Sequence, residues 1–135
     1  LNPVLLPLLT FIVAAILSFA IGSSWGTIII MMPLAIPSAI STGNEFSLII
    51  GAVLSGALFG DHSSPISETT ILSSTGAGID PLSHFSTQLP YALSNGAIAA
   101  VGFLIAGIFY SSLLVFYLIL FQVSALMLLK YFKYS

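Results

Sequence analysis

Apolar residues run along this chain in long blocks, separated by short polar stretches. Residues 4–20 are almost wholly apolar and lead into Gly22-Ser23-Ser24-Trp25-Gly26. Residues 27–40 are apolar again, with Pro33 and Pro37 among them. Thr42-Gly43-Asn44-Glu45 is a turn, and Glu45 is expected to be exposed. Residues 46–59 form a third apolar run, rich in Gly, Ala and Ser; residues 60–80 are polar; 91–110 and 113–129 are the fourth and fifth apolar runs. A spanning helix needs roughly 20 apolar residues. The last two runs meet that length unaided, and the first three are short or interrupted. None shows the period-two alternation of barrel strands. In hydrocarbon each backbone polar group must be satisfied internally, which leaves helices. The expected fold is therefore an all-α membrane protein, a multi-span helical bundle with interrupted helices.

Composition agrees with that reading. The 135 residues are 58% hydrophobic and 4% charged, against roughly 25% charged in a soluble domain. The mean hydropathy is +1.15. Lipid is the expected partner of most of the surface. The acids are Glu45, Asp61, Glu68 and Asp80, and the bases are Lys130 and Lys133. The chain has no arginine and no basic patch, which excludes nucleic acid as a partner. Without cysteine there is no thiolate metal site. The chain begins at Leu1 with no basic segment before the first apolar run, so no signal peptide is expected. Lys130-Tyr131-Phe132-Lys133-Tyr134 reads as an interfacial anchor, and the positive-inside rule puts that end in the cytoplasm. Gly56 and Gly60 have GxxxG spacing, with Gly51 and Ser55 extending the small face; close helix packing is the expected use.

The chemistry lies in two polar breaks. The first is SFAIGSSWGT, residues 18–27. Glycines and paired serines make poor helix there. The second, GDHSSPISETTILSST at 60–75, carries Asp61, His62, Pro65 and Glu68 among hydroxyl residues. Irregular backbone at membrane depth is tolerated only where it is buried in protein or lines a cavity. Intramembrane acids mark ion or proton paths. Residues 46–59 cover roughly 21 Å as a helix, short of a core of about 30 Å, so Asp61 is expected inside the membrane. The alternative is a surface loop. Broken helices build the ion sites of secondary transporters from carboxylates, hydroxyls and freed carbonyls. A low-dielectric cavity disfavours a bare carboxylate, so proton and cation compete for it.

At these breaks the chain resembles the NhaC family of sodium/proton antiporters, which also contains malate/lactate exchangers. The matching stretches are residues 18–27, GDHSSPISETTILSS at 60–74 and TQLPYA at 87–92. The family usually has cysteine where Ser63 stands and aspartate where Glu68 stands. The resemblance implies cation/proton antiport with Asp61 and Glu68 as acidic site residues. It implies that Ser23, Ser24, Thr27, Ser67, Thr69 and Thr70 line the site, with Na+ and H+ as the transported ions and no cofactor. It also implies that residues 1–135 form the C-terminal half of an inverted-repeat transporter in a bacterial plasma membrane. The partner is then a missing N-terminal half, fused or separate, and a homo-oligomer is compatible. The alternatives are an organic-anion exchanger of the same family and an inactive truncated half.

Other residues take simpler readings. His62 is a candidate pH sensor, since imidazole changes charge near neutrality, or an interfacial histidine bonded to a neighbour. His84 is expected to be solvated in a loop after Asp80-Pro81. Trp25 walls a cavity or sits at an interface. No two histidines have helical metal-ligand spacing, so a zinc site is rejected. Gly22-Ser23-Ser24-Trp25-Gly26 fits the G-x-S-x-G nucleophile pattern, but that elbow needs a strand-to-helix turn. The flanks here are apolar helices, so no enzyme is expected. Reaction of Ser24 with a fluorophosphonate would revive a hydrolase built on Ser24 and His62.

Overall fold

A computed structural model describes residues 2–111 and 113–134, with the side chains of 115, 125, 126 and 128–134 excepted. A 3-10 turn at Pro3–Leu5 leads into α1 (Leu6–Ile21). Then come α2 (Ser24–Thr42), α3 (Phe46–His62), α4 (Glu68–Ala77), α5 (Pro81–Ile108) and α6 (Leu113–Tyr134). Among the described residues every regular element is helical. The expected all-α membrane architecture is thus the observed one. Among the described residues three helices are long and apolar enough to cross a membrane: Pro3–Ile21, Ser24–Thr42 and Pro81–Ile108. The chain is a multi-pass membrane protein. The 17 residues of α3 cover about 25 Å, short of a full crossing. The side chains of the lysine–tyrosine anchor at 130–134 lie outside the described residues.

The core forms where α1, α2 and α3 meet. Leu6, Ala14, Met31, Ala35, Ala39, Ile49 and Val53 are its buried members. The closest pairing is α1 against α3, and it depends on missing side chains. A Cβ on Gly56 would strike the carbonyl of Phe11, and one on Gly60 the carbonyl of Ala15. The GxxxG pair therefore brings the two backbones into contact. Gly51 does not extend this face, since nothing lies within 4 Å of its Cβ position. Ser18 adds a buried bond across the pair, its Oγ donating to the Ala57 carbonyl at 2.6 Å. Phe11 stacks on Phe59 (6.0 Å between ring centroids) and on Phe103 (5.3 Å), which ties α5 to the pair.

The boundaries differ from the sequence expectation in four places. The first break is narrower than residues 18–27: helix continues to Ile21, and only Gly22 and Ser23 leave it. The polar stretch 60–80 is not all irregular, because α4 lies within it. Its hydroxyls donate back to helix carbonyls, Ser74 and Thr75 to Ile71 and Ser73 to Thr70. Such bonding lets serine and threonine stay in a helix. The fourth apolar run belongs to a helix that begins ten residues earlier, at Pro81. Asp80 caps it by accepting from the Ser83 N–H at 3.1 Å, and Pro81 occupies the first helical position. Finally, α2 continues through Pro33 and Pro37 to a length of 19 residues, so this interrupted run is a spanning candidate.

Candidate functional site

Each break is a helix end followed by a serine-capped helix start. Gly22 ends α1 at φ +72°, a left-handed conformation open to glycine. Ser23 then caps α2, its Oγ accepting from the Gly26 N–H at 3.3 Å. In the second break, residues 63–67 separate α3 from α4. Ser67 caps α4, its Oγ accepting from the Thr69 N–H at 3.1 Å. The two breaks touch. A Cβ on Gly22 would lie 2.8 Å from the carbonyl oxygen of Ile66. Two helix C-termini and two N-termini therefore converge, though 44 residues separate Gly22 from Ile66 in the chain. Carbonyl ends favour cations, and amide ends favour anions.

Asp61 lies at this crossing, in the last turn of α3, and is 3% exposed. Its Oδ1 accepts from the Ser67 hydroxyl at 2.6 Å. Ser67 Oγ also lies 2.7 Å from Thr69 Oγ1. A hydroxyl has one hydrogen. Since Ser67 spends its own on Asp61, Thr69 is the donor in that second bond. Around this chain Ser63, Ser64, Ser67, Thr70 and Ser74 are buried hydroxyls. Thr70 Oγ1 donates to the Ser64 carbonyl at 3.0 Å, and the Ile66 N–H donates to Ser64 Oγ at 3.3 Å.

The expected freed carbonyls are mostly engaged. Phe59 accepts from the Ser63 N–H and Oγ, Asp61 from the Ser64 N–H and His62 from Gln88 Nε2, while the Gly60 carbonyl lies 3.5 Å from the same Ser63 Oγ. Three of the last four carbonyls of α3 are thus engaged. Among the described residues no three of His, Asp and Glu come together. The site holds one buried carboxylate, Asp61.

The other candidates fall on either side of this centre. On the α2 side Thr27 and Ser24 are buried and Ser23 is half-buried; Thr27 Oγ1 donates to the Ser23 carbonyl at 3.0 Å. Glu68 and Thr69 are exposed. Of the two acids expected to be buried together, Asp61 alone is buried. Glu68 opens α4, where its charge meets the positive end of the helix. His62 is exposed and its ring makes no hydrogen bond among the described residues. Trp25 is 76% exposed. Glu45 is exposed, as expected. His84 is not a solvated loop residue: it is half-buried in the first turns of α5, with Nε2 3.1 Å from Ser73 Oγ. No hydrogen bond joins Ser24 to His62 among the described residues.

Sequence reasoning placed Ser64 only among the hydroxyls around Pro65, outside the site set, and passed over Gln88. A serine followed by proline is a turn signal, and it pointed to Ser64. Nothing local pointed to Gln88, whose partner is 26 residues away.

Comparison with known proteins adds a lineage to this geometry. The family model described as "Na+/H+ antiporter family" matches residues 1–108, which hold α1 to α5. An uncharacterized protein of Haemophilus influenzae is 44% identical over 80% of this chain and 21% of its own length. The "Malate-2H(+)/Na(+)-lactate antiporter" of Bacillus subtilis is 36% identical over 81% of this chain and 23% of its own. An "Uncharacterized Na(+)/H(+) antiporter" of Haemophilus influenzae is 31% identical over the same shares. The chain thus spans about a fifth of the length of the curated relatives it matches. No solved structure matches it.

Proposed function

The chain belongs to the Na+/H+ antiporter family, and from that premise we propose that it carries the ion site of a sodium/proton antiporter, with Asp61 holding either ion in turn. One observation carries the reading. A single buried carboxylate sits at the crossing of two broken helices, bonded to a buried hydroxyl. A bare charge in such surroundings is costly. Protonated Asp61 is neutral, and so is Asp61 paired with Na+. Both loaded forms can pass a low-dielectric barrier, and the empty anion cannot. Release of one ion then requires uptake of the other, which is exchange. Ser67 is the hydroxyl that accompanies either ion. Ser23, Ser24, Thr27, Thr69 and Thr70 complete the surrounding oxygens, and exposed Glu68 acts as a peripheral acid at the start of α4.

We propose that an N-terminal set completes the path, in keeping with the length of the relatives. The test uses the full-length protein in proteoliposomes, with a pH-sensitive dye inside and a sodium gradient imposed. Sodium-driven proton flux that disappears in Asp61→Asn supports the reading. Undiminished flux in that variant removes Asp61 from the mechanism.

A second reading is exchange of an organic anion coupled to Na+ or H+. The relative whose name includes malate and lactate is 36% identical to this chain, and the one named only for Na+ and H+ is 31% identical. Counterflow of labelled malate or lactate in the same vesicles separates the two readings.

A further inference from the structure

Beside the Asp61 cluster lies an open cavity of ≈ 370 Å³ lined by His62, Thr69, Thr70, Ser73, His84 and Gln88. It involves residues that the ion site does not use, and it joins that site through Thr69, whose hydroxyl bonds Ser67. We infer that this cavity is an outer station where a partly hydrated monovalent cation is held before it reaches Asp61. The inference rests on the reading of Asp61 as the inner cation site.

The argument is an accounting of hydrogens. Thr70 donates its hydroxyl hydrogen to the Ser64 carbonyl at 3.0 Å. Ser73 donates to the Thr70 carbonyl at 3.1 Å. Thr69 donates to Ser67, as derived above. Gln88 commits one N–H to the His62 carbonyl at 2.8 Å. With the Ser73 hydrogen on the Thr70 carbonyl, His84 Nε2 is the donor to Ser73 Oγ at 3.1 Å. All three hydroxyls lining the cavity spend their hydrogens on the protein and retain oxygen lone pairs. The Oε1 of Gln88 adds another acceptor, and the free donors that remain are the second Gln88 N–H and the His62 ring N–H, fewer than the acceptors. Such a lining solvates a cation better than an anion, because hard cations prefer oxygen ligands. At roughly 30 Å³ per water the space holds about twelve waters, so an ion can enter with much of its shell. The six lining residues include no carboxylate, so the ion is held weakly and can move on.

The test places charge at Gln88, which is outside the Asp61 machinery. Binding of 22Na+ to the purified full-length protein is measured for wild type, Gln88→Glu and Gln88→Lys. Sodium at half saturation should fall about three- to tenfold in Gln88→Glu and rise by a similar factor in Gln88→Lys. That is the range for one charge at about 7 Å with an effective dielectric of roughly 35–80. Structural damage alone would move both variants the same way. Shifts in one direction, or both under twofold, overturn the station and leave Asp61 untouched. Wild type without saturable sodium binding overturns both the inner site and the station.

Discussion

Replacing Gly22 by alanine probes the contact between the two breaks, and Gly43 supplies the control. Both glycines end a helix at nearly the same left-handed backbone, φ +72° and +70°. For a residue with a Cβ that conformation costs about 1–2 kcal/mol. The unfolded-state entropy change of a Gly→Ala exchange, about 0.4–1 kcal/mol in the stabilising direction, is common to both. The surroundings differ. Nothing lies within 4 Å of the Gly43 Cβ position, whereas at Gly22 the Ile66 carbonyl oxygen lies at 2.8 Å and its carbon at 3.1 Å. Backbone atoms there cannot rotate away as a side chain can. Relieving the overlap costs about 1–3 kcal/mol, the usual range for overpacking. Gly22→Ala should therefore be less stable than Gly43→Ala by about that amount. Reversible unfolding of the full-length protein in mixed micelles measures the difference. Sodium-driven proton flux should fall in Gly22→Ala and persist in Gly43→Ala. Equal destabilisation of the two variants would refute the claim that the breaks press on each other.

Four further substitutions separate the parts of the account. Ser67→Ala removes the donor to Asp61 and the cap of α4 together; with caps worth about 0.5–2 kcal/mol and bonds to charged groups about 1.5–3, unfolding should show a loss of about 2–5 kcal/mol. Gly60→Ala should separate α1 from α3 and lower stability by about 1–3 kcal/mol, while Gly51→Ala should raise it by about 0.5–1 kcal/mol through helix propensity; the same unfolding assay reads both. Glu68→Gln should keep sodium-driven flux within a few-fold of wild type while Asp61→Asn loses it, and a Glu68→Gln variant as dead as Asp61→Asn would move the peripheral acid to the centre.

How far the sequence led is clearest from particular residues. Long apolar runs announced the helices because lipid leaves the backbone no other solution. Gly22, Pro65 and the paired serines announced the breaks because they are poor helix formers. The packing use of Gly56 and Gly60 followed from their spacing. The phase of α4 was not legible. Its serines and threonines look like loop residues until their hydroxyls are seen to bond helix carbonyls, and without that phase the exposure of Glu68 could not be foreseen. The start of α5 was legible in Asp80-Pro81, an N-cap followed by proline, but the polar residues after it masked the signal. His84 was misplaced with it. Contacts that close the site were out of reach of any local pattern. Ser67 meets Asp61 across an irregular turn, and Gly22 meets Ile66 across two helices.

The central claim is that proton and sodium exclude each other at Asp61. Isothermal titration of purified full-length protein with NaCl, repeated in buffers of different ionisation enthalpy, counts the protons released per sodium bound. The account predicts proton release with sodium binding, an apparent sodium affinity that weakens as pH falls, and loss of both in Asp61→Asn. Sodium binding that releases no proton, or that survives in Asp61→Asn with its pH dependence intact, would contradict it.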